Sequence, residues 1–432
     1  MSRREVRPLP RLRGTIAVPG DKSISHRAAM LNALADGEAT VQNFLPGEDC
    51  LSTLGVLAAL GVESSLDRSG AAPVLRIRGA GIDGLREADG VLDCGNSGTT
   101  MRLMAGVLSG QPFLSVLSGD ASLRGRPMAR VATPLREMGA RIDGRDGGRL
   151  APLTIRGGGL HGITYRLPVA SAQVKSSVLL AALFAQGETT VEEPEPTRDH
   201  TERMLSTMGA RIGREGSAVR LTPGARLQPL SMRVPNDISA AAFWMVAAAV
   251  HPDAELRLAG VGVNPTRSGI IDALRAMGAD ISVEEERQVA GEPVADVVVR
   301  SSELRGTVVK GEMIARLIDE VPVLAVAAAC ARGTTEIRDA QELRVKESDR
   351  VATVVSQLAR LGVDVEERAD GMVIAGAGGI RGGAVEAFGD HRLAMALAVA
   401  GLVSREGVTV DGAEAVAISY PDFWEHLARL GD

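Results

Sequence analysis

Aromatic side chains are scarce in this sequence. Phenylalanine, tryptophan and tyrosine make up 2% of the 432 residues, whereas apolar residues as a whole make up 45%. The apolar share is large enough for sizeable cores, and the chain length predicts two or more domains rather than one. Those cores must therefore consist of closely packed Ala, Val, Leu, Ile and Met side chains.

Cysteine is equally scarce, since Cys50, Cys94 and Cys330 lie far apart in the chain. Three isolated cysteines exclude a disulfide framework, show no metal-ligand spacing and favour a reducing, cytoplasmic location. No apolar run reaches about 18 uninterrupted residues, so no membrane span is predicted. The basic N-terminal segment MSRREVRPLPRLRG lacks the apolar stretch of a secretory signal and is interpreted as a short disordered arm.

An excess of positive charge is absent too. The net charge is −6, so the surface as a whole is not a nucleic-acid footprint. A basic cleft that binds a small anion remains compatible with this balance.

What the sequence does contain is a sixfold repeat. An apolar helical period ends six times on Leu-Gly or Met-Gly, and glycine is typical of the residue just after a helix. These glycines are Gly61, Gly139, Gly209, Gly278, Gly362 and Gly431. An Ala/Leu-rich helix that runs into a strand alternates with this pattern, so each unit reads helix, strand, helix, strand, strand.

The sixth unit has no closing strand, and the segment RLRGTIAVPG near the N-terminus resembles the missing one. We therefore predict an N-terminal domain over residues 21–235 that holds three units. The other three units form a discontinuous C-terminal domain from residues 1–20 and 236–432. The two chain crossings predict a hinge near Gly20 and Pro235.

Polar residues gather at the start of the first helix in every unit, in the segments DKSISHR, GNSGTTMR, ASAQVKSS, PNDISAA, IDEVPVL and GDHRLAM. Helix N-termini attract anions because their N–H groups are unpaired and the helix dipole is positive there. Capping explains the Ser, Asn and Asp residues. It does not explain five cations in or near first turns, which an anionic ligand would compensate. These cations are Lys22, Arg27, Arg102, Lys175 and Arg392.

The first of these segments is not a nucleotide P-loop. Asp21 separates Gly20 from Lys22, and the preceding Gly14 has the wrong spacing. The pattern predicts anion binding without nucleotide chemistry.

Two further segments, SLRGRPMAR and ELRVKESDR, are rich in charge. Each is also typical of a solvated surface, and Glu347 beside Lys346 is typical of an ordinary surface pair. Asp319 and Glu320 are likewise typical caps of the apolar helix that follows them.

Together, the repeat and the motifs resemble the enolpyruvyl transferases over nearly the whole chain. The motifs that resemble the 5-enolpyruvylshikimate-3-phosphate synthase family within that group are PGDKSISHR, GNSGTTMR, SAQVK, RDHTE, NPTR, ELRVKESDR and FGDHR. The second to fifth of them, with GDKS, resemble its class II, often glyphosate-tolerant, branch. The resemblance implies a mixed α/β (α+β) fold, a two-domain inside-out α/β barrel built from six units, three per domain.

The resemblance also implies a reaction of the shikimate pathway, in chorismate and aromatic amino-acid biosynthesis. The 5-hydroxyl of shikimate 3-phosphate attacks C2 of phosphoenolpyruvate, C3 is protonated, and the tetrahedral intermediate loses phosphate. The expected partners are these two substrates and the inhibitor glyphosate, with no nucleic acid and no membrane. No metal or other cofactor is expected, because such a reaction needs an acid, a base and anion stabilisation. The protein is expected to be a monomer.

The family's roles carry over onto this sequence residue by residue. Shikimate 3-phosphate is expected to bind Lys22, Ser23, Arg27, Ser171, Ala172, Gln173, Arg198, Asp319 and Lys346. Phosphoenolpyruvate is expected to bind Lys22, Gly98, Arg126, Gln173, Arg350 and Arg392. Asp319 is expected to be the base for the 5-hydroxyl, and Lys22 and Glu347 are alternatives for proton transfer at C3.

Two positions depart from patterns within the family. Class I members carry a lysine where Ile418 stands here, so that cation is missing or is supplied elsewhere. Gly98 stands where some tolerant members have alanine, so glyphosate tolerance is not predicted.

Two alternatives stay open. The UDP-N-acetylglucosamine enolpyruvyl transferases share the repeat, but they usually carry a cysteine in the loop equivalent to SGDASLRGRPM, and this chain has none between Cys94 and Cys330. They also lack the KES-x-R and SAQ-x-K motifs. A non-catalytic protein that binds phosphorylated metabolites is the other alternative, and the intact Asp319, Glu347 and Lys22 argue against it.

Overall fold

Two strands near the start of the chain, β1 (Arg3–Val6) and β2 (Leu12–Ile16), join sheets that consist otherwise of much later residues. The computed structural model describes residues 2–70, 72–377 and 379–430. Because β1 and β2 are both well-formed strands, the interpretation of the N-terminal segment as a disordered arm is wrong.

The chain divides into two units. The N-terminal unit consists of Gly20–Val234 and Val289–Glu292, and the C-terminal unit consists of Met1–Pro19, Pro235–Gln288 and Pro293–Asp432. The sequence-based boundaries differ from this division by one residue at each crossing and leave out the excursion at 289–292. The hinge near Gly20 and Pro235 stays a prediction.

The N-terminal unit contains three four-stranded sheets and the helices between them. Its helices are α1 (Lys22–Ala33), α2 (Glu48–Ala59), α3 (Gly98–Ser109), α4 (Ala121–Gly125), α5 (Ala129–Glu137), α6 (Arg145–Gly148), α7 (Ala172–Ala182) and α8 (His200–Thr207). Its strands are β3 (Asp36–Gln42), β4 (Glu63–Asp67), β5 (Val74–Ala80), β6 (Leu92–Asp93), β7 (Leu114–Ser118), β8 (Arg141–Gly144), β9 (Leu150–Arg156), β10 (Thr164–Arg166), β11 (Thr189–Glu192), β12 (Arg211–Glu215), β13 (Ala218–Thr222) and β14 (Met232–Arg233). The strand orders are β14-β3-β5-β4, β6-β7-β9-β8 and β10-β11-β13-β12.

The C-terminal unit repeats this plan. Its helices are α9 (Ile238–Val250), α10 (Gly269–Ala276), α11 (Glu312–Leu317), α12 (Val321–Cys330), α13 (Arg350–Arg360), α14 (His391–Val403) and α15 (Phe423–Arg429), with 3₁₀ helices at Gln341–Val345 and Ala413–Ile418. Its later strands are β15 (Ala254–Gly262), β16 (Asp280–Val289), β17 (Glu292–Arg300), β18 (Val308–Val309), β19 (Arg332–Ile337), β20 (Asp364–Arg368), β21 (Gly371–Ala377), β22 (Gly383–Glu386) and β23 (Val408–Asp411). The strand orders are β16-β17-β15-β2, β18-β19-β21-β20 and β1-β23-β22.

Five of the six sheets of the described residues also have a short strand that the sequence pattern does not contain: β6, β10, β14, β18 and β22. A short strand pairs in parallel with the strand after the first helix, as β6 does with β7 and β18 with β19. The other pairings within the sheets are antiparallel. Such short strands carry too few residues for an alternating pattern, which is why the predicted unit lacks them.

The predicted partner of the N-terminal strand is wrong in detail. Leu12–Ile16, within RLRGTIAVPG, pairs in parallel with β15 in the fourth sheet, not with the sixth. The strand that completes the sixth sheet is β1, which pairs antiparallel with β23. Only Val6 of β1 is buried, so this edge strand tolerates the charged residues that suggested an arm.

The first helix of each repeat lies in the core. Helices α1, α3 and α7 are buried on nearly all sides in the N-terminal unit, as are α9, α12 and α14 in the C-terminal unit. Close packing replaces aromatic bulk here. A Cβ atom on Gly106 of α3 would lie 2.1 Å from the Ser177 carbonyl oxygen of α7, so only glycine permits that approach. Among the described residues, no helix is long and apolar enough to cross a membrane.

Candidate active site

The predicted site residues fall into two groups, one in each unit. The N-terminal unit carries Lys22, Ser23, Arg27, Gly98, Arg126, Ser171, Ala172, Gln173 and Arg198. The C-terminal unit carries Asp319, Lys346, Glu347, Arg350 and Arg392.

Lys22 is the first residue of α1 and lies beside a carboxylate. The Asp21 side chain caps the helix by accepting a hydrogen bond from the Ile24 N–H at 2.8 Å. The Lys22 Nζ atom lies 2.6 Å from Asp49 Oδ2 at the start of α2. A cation at a helix N-terminus is disfavoured by the dipole, and Asp49 compensates it.

Arg27, one turn further along α1, is buried and joins three helices. Its Nε donates to Thr201 Oγ1 of α8 at 2.7 Å, and its Nη2 donates to Ser176 Oγ of α7 at 2.8 Å. Its Nη1 donates to the Ser23 carbonyl oxygen at 3.0 Å. The arginine therefore fixes the start of α1 against the two helices that neighbour the predicted phosphate-binding residues.

Gly98 begins α3, and two guanidinium groups lie next to it. A Cβ atom at this position would lie 2.9 Å from Arg102 Nη1 and 3.5 Å from Arg126 Nη1. Arg102 Nη1 in turn donates to Gln173 Oε1 at 2.6 Å. The structure thus brings together Gly98, Arg126 and Gln173, three of the residues predicted to bind phosphoenolpyruvate, and Arg102 connects them.

The first turn of α7 has the form of an anion-binding helix start. Ser171 is the N-cap and accepts from the Val174 N–H at 3.4 Å. Ala172 and Gln173 follow as the first helical residues, whose N–H groups have no partner within the helix. Arg198 lies in the segment between β11 and α8. These positions fit the predicted role of the group with a phosphate, which helix N-termini favour.

Arg350 is the centre of the group in the C-terminal unit. Its Nε lies 2.7 Å from Asp390 Oδ2, its Nη2 lies 2.7 Å from Glu347 Oε2, and its Nη1 lies 3.2 Å from Asp319 Oδ1. The side chain is only 1% exposed. Burial on its own would lower the pKa of Arg350, but the charges of Asp390, Glu347 and Asp319 outweigh it and raise this pKa. Burial on its own would raise the pKa of the Asp390 carboxyl, but the charge of Arg350 outweighs it and holds this pKa below its ordinary value.

The interpretation of Lys346 and Glu347 as an ordinary surface pair does not fit the structure, and neither does a capping role for Glu320. Glu347 pairs with Arg350, while Lys346 Nζ lies 3.5 Å from Asp319 Oδ1. Glu320, the N-cap residue of α12, makes no side-chain capping hydrogen bond. Asp319 Oδ2 instead lies 3.9 Å from Arg392 Nη2, and Glu320 Oε1 lies 3.7 Å from Arg392 Nη1. Three cations therefore orient the Asp319 carboxylate.

Sequence reasoning missed several residues of these networks. Asp49 pairs with Lys22, and Asp390 pairs with Arg350. Asp390 lies inside the FGDHR motif and also caps α14, so the motif carried a signal for it. Asp49 is one of two acids in the first turn of α2, a pattern typical of dipole compensation, so nothing in the sequence distinguished it. Arg102 stood out only as a cation without a role.

The described residues contain no group of three or more His, Cys, Asp and Glu side chains that could hold a metal ion. Cys50, Cys94 and Cys330 form no disulfide bond. Burial raises the pKa of the Cys330 thiol to about 12, so this thiol is not an activated nucleophile. Ile418 ends a 3₁₀ helix and supplies no charge.

Comparison with known proteins identifies the relatives of this chain. The family model described as EPSP synthase (3-phosphoshikimate 1-carboxyvinyltransferase) matches residues 6–427. A protein named 3-phosphoshikimate 1-carboxyvinyltransferase from Roseiflexus castenholzii is 59% identical over 424 residues, 97% of each chain. A protein of the same name from Gloeobacter violaceus is 57% identical over 427 residues, 98% of each chain.

Solved structures agree with these sequence relatives. The EPSP synthase of Acinetobacter baumannii superposes with a TM-score of 0.88 at 46% identity, covering 100% of this chain and 98% of that one. The enolpyruvyl transferase NikO from Streptomyces tendae superposes with a TM-score of 0.80 at 18% identity, covering 99% of this chain and 97% of that one, which shows the fold alone. The predicted fold class, the enolpyruvyl transferase fold, is confirmed.

Proposed function

The chain belongs to the EPSP synthase family, and from that premise we propose that it transfers the enolpyruvyl group of phosphoenolpyruvate to the 5-hydroxyl of shikimate 3-phosphate. Phosphate is released, and the product enters the biosynthesis of chorismate and aromatic amino acids. The observation that carries the proposal is Asp319, a carboxylate just before a core helix that Arg350, Lys346 and Arg392 approach at 3.2, 3.5 and 3.9 Å.

Addition of the hydroxyl to C2 needs a base. We assign this role to Asp319, because an oriented carboxylate can accept the proton of the 5-hydroxyl as the C–O bond forms. Lys346, which contacts the same carboxylate, binds a ring hydroxyl. Arg350 holds Asp319 from a buried position, which fixes the base in place before the substrate binds.

Proton transfer at C3 is assigned to Lys22 or Glu347. Protonation of C3 makes the tetrahedral intermediate, and removal of a C3 proton with loss of phosphate restores the double bond. Lys22 is oriented by Asp49 at 2.6 Å and Glu347 by Arg350 at 2.7 Å. Turnover in D₂O distinguishes the two residues. The variant that lacks the acid, Lys22→Met or Glu347→Gln, incorporates little deuterium into phosphoenolpyruvate, whereas the other retains exchange.

The remaining residues bind the substrates. We propose that Ser23, Arg27, Ser171, Ala172, Gln173 and Arg198 bind shikimate 3-phosphate. Its phosphate lies at the first turn of α7, with the Ala172 backbone, Ser171 and Arg198. We propose that Lys22, Gly98, Arg126, Gln173, Arg350 and Arg392 bind phosphoenolpyruvate. Guanidinium groups suit this ligand because they bind carboxylate and phosphate oxygens in pairs.

The proposal is tested by mixing purified protein with both substrates and measuring released phosphate. Release must need both compounds, and shikimate 3-phosphate must not be replaceable by UDP-N-acetylglucosamine. The Asp319→Asn variant is compared with Glu312→Gln, which changes an exposed carboxylate of the same unit. No release by the wild-type protein, or release with the sugar nucleotide instead, contradicts the proposed function.

We further propose inhibition by glyphosate, a monomeric state and a cytoplasmic location. The six large hydrophobic side chains that are exposed among the described residues belong to six different segments of the chain, so they offer little for a stable interface. Cysteines that form no disulfide bond fit a reducing compartment. Light scattering gives the mass in solution, and a dimer mass contradicts the monomer.

A further inference from the structure

Lys175 is a fully buried charge in the SAQVK motif, and the proposed reaction gives this residue itself no role. Its Nζ lies 2.7 Å from Glu202 Oε1 and 3.0 Å from Glu193 Oε1, and the side chains of Lys175 and Glu193 are 0% exposed. Glu193 also pairs with Arg214. Burying such a network costs several kcal/mol per ion before the charges compensate one another. Apolar residues at these positions would stabilise α7 at least as much as the ion pairs do. The stability of the helix therefore does not explain why the charges are there.

The network fixes one residue, Thr197. Lys175 Nζ donates to the Thr197 carbonyl oxygen at 3.2 Å. The Thr197 N–H donates to Glu193 Oε1 at 3.1 Å, and the Thr197 hydroxyl donates to the same oxygen. The carbonyl oxygen, the N–H and the hydroxyl of Thr197 are therefore all bonded, the first to Lys175 of α7 and the other two to Glu193, which directly follows β11. Thr197 directly precedes Arg198.

A second set of contacts holds the other side of this loop. Ser176 Oγ of α7 lies 2.7 Å from Thr201 Oγ1 of α8, and Arg27 donates to both hydroxyls. The segment with Arg198 is thus fixed before and after that residue, each time to α7. Helix α7 begins with Ser171, Ala172 and Gln173.

We propose that Lys175 is a positioning residue that sets Arg198 against the N-terminus of α7 and so builds the subsite for the phosphate of shikimate 3-phosphate. This assignment rests on the proposed function. Lys175 is buried and touches no substrate in it. Its contribution passes through the Thr197 backbone, so it concerns the phosphorylated substrate and not phosphoenolpyruvate.

The test is steady-state kinetics of Lys175→Met, which keeps the length of the side chain and removes its charge. We expect the KM for shikimate 3-phosphate to rise about 10- to 100-fold, the scale of one lost charge-assisted hydrogen bond. The KM for phosphoenolpyruvate and the kcat at saturating shikimate 3-phosphate change less than about threefold. Turnover of unphosphorylated shikimate also stays unchanged, so the preference for the phosphorylated substrate falls.

Two further variants separate positioning from a general loss of stability. Val178→Ala removes buried packing from the same helix, and it should lower the unfolding midpoint without changing either KM. Thr197→Val removes only the hydroxyl bond to Glu193, and it should raise the KM for shikimate 3-phosphate about 3- to 10-fold. This milder variant decides the matter if Lys175→Met does not fold.

The assignment is overturned, while the proposed function stands, if the KM of both substrates rises equally. It is also overturned if the KM for shikimate 3-phosphate does not change in Lys175→Met and Thr197→Val. A wild-type protein that releases no phosphate from the two substrates overturns the proposed function, and the assignment with it.

Discussion

Replacing Gly98 with alanine should weaken glyphosate binding more than phosphoenolpyruvate binding. The added Cβ would lie 2.9 Å from Arg102 Nη1 and 3.5 Å from Arg126 Nη1. Ordinary contact needs about 3.5 Å, so only the Arg102 guanidinium has to move, by about 0.6 Å. Arg126, which is predicted to bind phosphoenolpyruvate, is already at contact distance.

The cost to phosphoenolpyruvate is small. Arg102 Nη1 lies 2.6 Å from Gln173 Oε1, and a shift of about 0.6 Å lengthens that bond to about 3.2 Å, still within hydrogen-bonding range. Weakening such a bond costs about 1 kcal/mol or less, which is about fivefold in the KM for phosphoenolpyruvate.

In Gly98→Ala, a second effect weakens the binding of glyphosate. Glyphosate is longer than phosphoenolpyruvate, so it is expected to meet the new methyl group first. Overpacking by one methyl group costs about 1–3 kcal/mol, which raises the inhibition constant about 5- to 150-fold.

The assay is steady-state inhibition of both proteins by glyphosate, competed against phosphoenolpyruvate. Gly55→Ala is a matched control, because Gly55 lies on an exposed face of α2 where a Cβ meets nothing within 4 Å. Equal changes in the KM and the inhibition constant of Gly98→Ala would refute the steric reasoning. If the double variant Arg102→Lys, Gly98→Ala no longer weakens glyphosate binding more than phosphoenolpyruvate binding, the difference arises from the shift of Arg102 and not from direct contact between the methyl group and glyphosate.

Three other predictions concern catalysis, stability and pH. Asp319→Asn should keep substrate binding by calorimetry and lower kcat about 10²- to 10⁴-fold; a decrease below tenfold contradicts its role as base. Arg350→Met leaves buried carboxylates such as Asp390 uncompensated and should lower the free energy of unfolding by about 3–5 kcal/mol in urea titrations, whereas an unchanged midpoint would show that the network contributes nothing. Burial, and then the charges of Lys22 and Arg27, lower the pKa of His26 well below its ordinary value of 6.5. Below about pH 6.5 the His26 side chain therefore binds a proton in the unfolded chain but not in the folded protein. Stability should therefore fall as pH drops through that value, by up to about 1.4 kcal/mol per pH unit from this group, and urea titrations of His26→Gln should show a shallower fall; an identical slope counts against it.

Motif reasoning located the helix starts well because it uses local chemistry. Asp21, Ser97, Ser171, Asp237 and Asp390 are all N-caps with side-chain hydrogen bonds, as a polar residue before an apolar run predicts. Helix existence follows from the same local pattern, which is why the six core helices could be predicted from the sequence.

The partner of a strand is often far away in the sequence, and a local sequence pattern does not identify it. Leu12–Ile16 lies in a segment that resembles a closing strand, yet it pairs in parallel with β15. The charged Arg3–Val6 was unrecognisable as a strand, because Arg3 faces solvent and pairs with Asp411 from the other end of the chain. The same limit applies to the site: Lys22 was predictable, but its partner Asp49 is one acid among many until the fold brings it to 2.6 Å.

The pairing of β1 with β23 has a consequence for synthesis on the ribosome. Arg3 and Asp411 are 408 residues apart in sequence, so β1 leaves the ribosome long before its partner exists. The three sheets of the N-terminal unit use residues 36–233 and can form while translation continues. At about 5–20 residues per second, the rest of the chain takes about 10–40 s. During that interval β1 is an unpaired edge, and its arginines and glutamate protect the nascent chain from pairing with a neighbour.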